Sequence, residues 1–221
     1  MPPRIDWGEV GAALDQRGYA TIPSLVDPVA CRDLVALYDD EARFRSRVVM
    51  QRHRFGQGEY KYLRYPLPEP VAGLREALYP GLAGIANRWG GNFPPTHDAY
   101  LAACHEAGQV RPTPLLLKYG LGDYNCLHQD LYGDLVFPLQ LTVLLTDGFT
   151  GGEFLLVEQR PRSQSMGQVV PLVQGEAVIF PVHHRPVAGT RGTYRVTMRH
   201  GVSRVHSGER FTLGIIFRDA A

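Results

Sequence analysis

From residue 111 onward the chain is cut into short β-favouring runs that leave no space for a helix. The runs are "TPLLLKYG", "LQLTVLLTD", "GEFLLVE", "VVPLVQGEAVIFPV", "TYRVTMRHG" and "ERFTLGIIF", separated by Gly or Asp turns. Consecutive short strands with turn chemistry between them predict an antiparallel sandwich or barrel. "RPRSQSMGQ" reads as a hairpin loop, and "GFTGGEF" as a turn before a strand rather than a phosphate loop, because no helix pattern follows it.

The first half has a different texture. "DWGEVGAALDQRG" has apolar residues at helical spacing and a Gly stop, and "DPVACRDLVALYDDEARFRS" offers Asp27 as N-cap with Pro28 at the first helical position. "PEPVAGLREALYPGLAGIANRWGG" and "THDAYLAACHEAG" are also helical in period, "YATIPSLV" reads as a short strand, and "VVMQRHRFGQGEYKYLRY" as strands with a turn at "GQGE". The expectation is an α+β fold of one domain over 1–221. A helical portion, about 1–110, packs on one face of a β-unit of about 111–218. At 221 residues no linker or composition shift argues for a second domain.

Bulk chemistry excludes little. A formal net charge of +1 favours neither nucleic acid nor a membrane as partner. The charged, Gly- and Pro-broken start has no apolar core of a secretory signal, and no run approaches the roughly 18 apolar residues of a membrane span. Cys31, Cys104 and Cys126 are odd in number and widely spaced, and are expected to be reduced, buried thiols of a cytoplasmic protein.

The chemistry concentrates in "YNCLHQDLYGD". On a strand, residues two apart share a face, so His128 and Asp130 project together and Gln129 turns away. An imidazole and a carboxylate suit a borderline or hard divalent ion. A third ligand is needed; His200 and His184 are the candidates. His200 is followed ten residues later by Arg210, which opens an alternating strand, whereas Arg191, after His184, falls in a Pro- and Gly-rich stretch. That strand puts Arg210, Thr212, Gly214 and Ile216 on one face and Phe211, Leu213, Ile215 and Phe217 on the other. A guanidinium inside a β-unit is costly without an anion, and it matches a carboxylate through two parallel hydrogen bonds that Thr212 can supplement. Taken one at a time, these residues also fit ordinary roles: a hydrogen-bonded histidine, a turn-capping aspartate, a core thiol at Cys126.

In order and spacing, "KYGLGDYNCLHQD", "LTVLLTDGFTGGEFLLVE", "GEAVIFP" and "HGVSRVHSGERFTLGIIF" resemble the Fe(II)/2-oxoglutarate-dependent oxygenases, in particular the prolyl-4-hydroxylase-like branch. The resemblance covers roughly 115–217. It implies a double-stranded β-helix (jelly-roll) core, with His128, Asp130 and His200 as iron ligands. Arg210, with Thr212, would pair with the distal carboxylate of 2-oxoglutarate, and Tyr119 would hydrogen-bond the same group. It also implies Fe(II) as cofactor, 2-oxoglutarate as cosubstrate and ascorbate as an accessory reductant. The expected reaction is hydroxylation of a C–H bond in a small molecule or protein residue. Asp130 at the carboxylate position counts against a halogenase. Two departures stand out: Leu144 and Leu145 occupy the place of a second tyrosine found in some relatives, and the segment between "VIFP" and His200 is long. The segment 183–210 holds six arginines, four histidines and one acid, Glu209, which reads either as a solvated rim or as an electropositive entrance for anions. A nucleic-acid dealkylase of the same superfamily is therefore an alternative, though nucleic acid is not the expected partner. A non-catalytic metal-binding module is the other alternative, and the inward Arg210 argues against it.

Overall fold

The computed structural model describes residues 3–131, 133–190 and 192–221. Four α-helices precede the main run of strands: α1 (Trp7–Arg17), α2 (Pro28–Ala36), α3 (Glu69–Arg88) and α4 (His97–Glu106). The strands are β1 (Ala20–Ile22), β2 (Phe44–Val49), β3 (Gly56–Gln57), β4 (Glu59–Leu63), β5 (Leu115–Tyr119), β6 (Tyr124–His128), β7 (Leu139–Leu144) and β8 (Thr150–Gly151). They continue as β9 (Phe154–Gln159), β10 (Met166–Val170), β11 (Ala177–Pro181), β12 (His184–Gly189), β13 (Gly192–Val202), β14 (Val205–Ser207) and β15 (Arg210–Ile215).

Local chemistry sets the helix ends. Asp6 accepts hydrogen bonds from the Gly8 and Glu9 amides at 2.9 and 3.1 Å, and Gly18, at φ 83°, ends α1 in the left-handed conformation. Asp27 caps α2 through the Val29 and Ala30 amides, with Pro28 at its first position. Helix α1 lies against α3 because residue 81 is glycine: a Cβ there would stand 2.0 Å from the Trp7 ring.

Two antiparallel sheets face each other. The larger has the order β1-β11-β7-β15-β5-β4-β2; the smaller runs β10-β9-β13-β6-β3, with β12 added to β13. Period-2 alternation divides the larger sheet's side chains cleanly. Leu141, Val143, Ala177, Ile179, Phe211, Leu213 and Ile215 form one apolar cluster with Leu14, Leu34, Leu74, Leu78 and Leu82 of the helices. Full burial of each such side chain contributes roughly 1.5–3 kcal/mol, so this layer is a principal source of stability. The opposite face looks into the space between the sheets. One end of that space is filled by Phe154, Leu156, Val178, Phe180, Val196 and Met198. The other end is open and holds the polar residues described below.

The mixed architecture and outer helix layer match the α+β jelly-roll expectation. The N-terminal portion holds strands where "YATIPSLV" and "VVMQRHRFGQGEYKYLRY" predict them, but it does not merely pack on one face of the β-unit. It contributes β1, β2 and β4 to the larger sheet and β3 to the smaller, so both sheets extend across the expected boundary near residue 110. Cys31 and Cys104 are buried free thiols, but Cys126 is exposed, contrary to expectation: it lies on β6, near the edge of the smaller sheet, where no residue is fully buried. Among the described residues no helix is long and apolar enough to cross a membrane.

Candidate active site

His128 closes β6 and sits directly opposite His200 of β13, their ring centroids 4.2 Å apart. Sheet pairing therefore fixes both imidazoles. Asp130 lies two residues beyond the strand end, with Oδ1 3.6 Å from His128 Nε2 and Oδ2 3.4 Å from His200 Nε2. The three potential donor atoms all fall within 4.8 Å of one another. Atoms this close suit a small divalent ion, whose bonds to nitrogen and oxygen run roughly 2.0–2.2 Å. The donor set is two imidazoles and one carboxylate, the facial arrangement that leaves coordination positions free.

The protonation states fit. The His128 Nδ1–H donates to the Cys126 carbonyl at 2.7 Å, which leaves the Nε2 lone pair facing Asp130. Burial, and then the neighbouring His200, lower the His128 pKa and favour its neutral form. Burial alone would raise the Asp130 carboxyl, but His200, His128 and Gln140 together hold it well below the usual carboxylate range. Gln129 points away as expected, donating to the Met198 carbonyl at 2.7 Å.

Arg210 opens β15 opposite Tyr119 of β5. Its side chain is 2% exposed, and Nε and Nη1 are buried with no partner. Burial draws its pKa down to about 10, so it remains a cation at neutral pH. Gly152, at φ +65°, makes space for it: a Cβ there would stand 2.8 Å from Arg210 Cδ. Tyr119 is fully buried and accepts a 3.4 Å hydrogen bond from Asn125 Nδ2. Burial pushes its hydroxyl up to about 12 against the opposing pull of Arg210. His128, Asp130, His200, Tyr119, Arg210 and Thr212 all line one cavity between the sheets.

The rival histidine does not reach this cluster. His184 lies on β12 opposite Thr197, its ring against His183 with centroids 3.4 Å apart, and neither belongs to the group around Asp130. The Pro- and Gly-rich stretch after His184 forms a regular strand that pairs with β13. Arg191 lies outside the described residues. The basic segment is not a continuous rim. Arg185 is 2% exposed and paired with the buried Glu158, while Arg204 lies over the Tyr124 ring at 4.6 Å.

Sequence reasoning missed Gln140. Its Nε2 donates to Asp130 Oδ2 at 2.7 Å and lies 3.3 Å from His200 Nε2. The signal was present, since Gln140 and Thr142 are the polar residues of the inward period of "LQLTVLLTD". Also missed were Phe55, Tyr60 and Tyr62, which add aromatic surface to the cavity wall.

Comparison with known proteins places this geometry. The chain is 50% identical over 165 residues to an uncharacterized protein found in two strains of Mycobacterium tuberculosis, covering 71% of each chain. Among solved structures it is similar to a Pseudomonas putida prolyl-4-hydroxylase, with TM-score 0.60, 15% identity, and coverage of 95% of this chain and 96% of that one. It is also similar to a Burkholderia pseudomallei oxidoreductase of the 2OG-Fe(II) oxygenase family, with TM-score 0.55, 15% identity, and coverage of 100% and 95%. A viral collagen prolyl hydroxylase from Paramecium Bursaria Chlorella virus-1 gives TM-score 0.51 at 17% identity, covering 90% of this chain and 95% of that one. At these identities the structural likeness speaks for the fold. A family model described as "Oxygenase, catalysing oxidative methylation of damaged DNA" matches residues 58–220. The chain belongs to this oxygenase family, and its fold is that of the Fe(II)- and 2-oxoglutarate-dependent oxygenases.

Proposed function

We propose that His128, Asp130 and His200 hold Fe(II), that Arg210 with Thr212 and Tyr119 receives the distal carboxylate of 2-oxoglutarate, and that the enzyme hydroxylates a C–H bond of its substrate. The observation that carries this is the convergence, in one cavity, of a His–Asp–His cluster and a buried guanidinium with two unpartnered donors. When bound, iron and 2-oxoglutarate supply the oxidising chemistry: dioxygen places one oxygen atom in succinate and the other in the hydroxylated product, with release of CO2. The chain's own residues orient and enclose. Sheet pairing sets the two imidazoles, Arg210 neutralises and aligns the distal carboxylate, and the aromatic wall limits water around the reacting groups. The N-terminal portion acts with the β-unit as one catalytic body, because its strands extend both sheets. Anaerobic Fe(II) titration, followed by succinate release that requires 2-oxoglutarate and dioxygen, tests the proposal. A protein that binds no iron stoichiometrically, or whose Asp130→Ala variant binds it as tightly as wild type, refutes the site.

A nucleic-acid substrate is the second reading, and two observations favour it. The matching family is described as acting on damaged DNA. In addition, the connection between β2 and β3 places the exposed Arg52, His53 and Arg54 beside Phe55, which lines the cavity and stacks with His53 at 5.4 Å. Cations flanking an aromatic at a cavity mouth suit a strand whose base is turned inward. Hydroxylation of an N-methyl carbon there would give an N–CH2OH group, and breakage of its C–N bond would release formaldehyde. Oligonucleotide binding that weakens steeply with salt, with a shallower slope in an Arg52→Ala/Arg54→Ala variant, is the expected result. Salt-independent or absent binding refutes this reading and leaves the small-molecule and protein-residue substrates.

A further inference from the structure

The three residues of the cluster are not held alike. His128 and His200 are locked by direct cross-strand pairing, but Asp130 lies two residues beyond the end of β6 and has no strand partner. Its position depends on side chains arriving from elsewhere. Gln140, on the neighbouring sheet, donates from Nε2 to the carboxylate at 2.7 Å. Arg218, beyond the end of β15, donates from Nη2 to the Asp130 backbone carbonyl at 3.3 Å. The Gln140 side chain is 5% exposed, and its Oε1 is buried without a partner. Turning the amide over would set that oxygen against a carboxylate oxygen, so the donor orientation is imposed by Asp130. The contact to His200 Nε2, at 3.3 Å, competes for the same amide group only while that nitrogen's lone pair is free.

We propose that Gln140 is a positioning residue for the metal centre: its amide occupies Oδ2 of Asp130 and leaves Oδ1 as the oxygen presented to the ion. This inference rests on the assignment of His128, Asp130 and His200 as ligands. A carboxylate held by one oxygen through a charge-assisted hydrogen bond is prevented from swinging to grip the ion with both oxygens, which would consume a coordination position needed by the cosubstrate. The amide donor also satisfies one oxygen of a half-buried carboxylate.

The test uses Gln140→Met and Gln140→Leu, which keep much of the volume and remove the donor. Two substitutions are used because either alone could fail to fold, and native circular dichroism selects the variants to be read. Co(II) is the probe. Its affinity is measured by anaerobic calorimetry, and its visible d–d spectrum reports coordination number and geometry. The expected result is a loss of Co(II) affinity of roughly tenfold, the size of one charge-assisted hydrogen bond. The spectrum should also change, and thermal stability of the metal-free protein should stay within a few degrees of wild type. A metal-site spectrum and affinity unchanged from wild type overturns the role of Gln140. Failure of the underlying assignment looks different: wild type itself would then bind no stoichiometric Co(II), or would bind it equally well as Asp130→Ala.

Discussion

Removing the guanidinium of Arg210 separates an oxygenase site from a metal site. Arg210 is 2% exposed, with Nε and Nη1 unpartnered, and the Tyr119 ring lies 5.5 Å from its guanidinium. Two N–H groups directed at a carboxylate form a bidentate, desolvated contact. Charge-assisted bonds of this kind are worth about 1.5–3 kcal/mol, and truncation leaves the ligand's carboxylate buried and unpaired. Arg210→Ala is therefore expected to raise the Kd for 2-oxoglutarate roughly 10- to 150-fold at about 1.4 kcal/mol per decade. Arg210→Lys should recover part of that loss, keeping the charge without the fork. Fe(II) affinity without cosubstrate should hardly move, because Arg210 does not touch the His–Asp–His group. Stability supplies a second arm. Deleting an unpaired buried charge relieves a desolvation cost, so metal-free Arg210→Ala should melt no lower than wild type by more than its small cavity penalty. The assay is a pair of anaerobic calorimetric titrations, metal alone and then 2-oxoglutarate with metal present, alongside a thermal melt. Unchanged 2-oxoglutarate affinity in a folded Arg210→Ala protein refutes the reasoning and moves cosubstrate binding to another cation.

Three further outcomes are expected. His200→Ala abolishes iron-dependent succinate release while His184→Ala leaves most of it, since only His200 stands within reach of Asp130; the reverse order of activities would place the third ligand on β12. Glu158→Ala, measured by urea unfolding, costs about 3–5 kcal/mol, because it strands Arg185 in the interior with its ion-pair partner gone; a change under ~1 kcal/mol would mean water replaces the carboxylate. His97 is 5% exposed and its ring donates to the Phe217 carbonyl; burial lowers its pKa to about 4 from the ordinary 6.5. The unfolded chain therefore takes up a proton between those values that the folded one resists. The stability is fully present above about pH 6.5 and is lost as pH falls toward 4, by up to about 3 kcal/mol. His97→Gln should flatten that part of the urea-stability profile, and an equally steep profile in the variant would assign the slope to other groups.

Much of this was readable where local chemistry and periodicity agreed. The Gly18 stop of α1, the Asp27 cap and Pro28 start of α2 and the two faces of β15 each follow from residue types acting over a few positions. The candidate site was readable because its residues are polar in segments that otherwise alternate toward an apolar core. What the sequence hid was non-local. Strands β1 to β4 sit among helices and are short, and their places in two sheets depend on partners far along the chain. Arg185 looked like part of a basic rim because Glu158, which neutralises it, lies 27 residues away. The polarity of Gln140 is visible in "LQLTVLLTD", but its partner is not, because nothing local reveals that Asp130 lies beyond the end of β6.

The long segment before His200 has a place in this geometry. It folds back as β12 on β13, pairing from His184 with Thr197 out to Gly189 with Gly192, away from the end of β13 that meets His128. Length added at that tip enters both strands in step, so the face on which His200 emerges is indifferent to it. One residue inserted between Thr197 and His200 has no such compensation: it would rotate the imidazole to the opposite side of the sheet with the hairpin intact. The tip of the hairpin can therefore change in length without moving His200, and the short count from its root to His200 cannot.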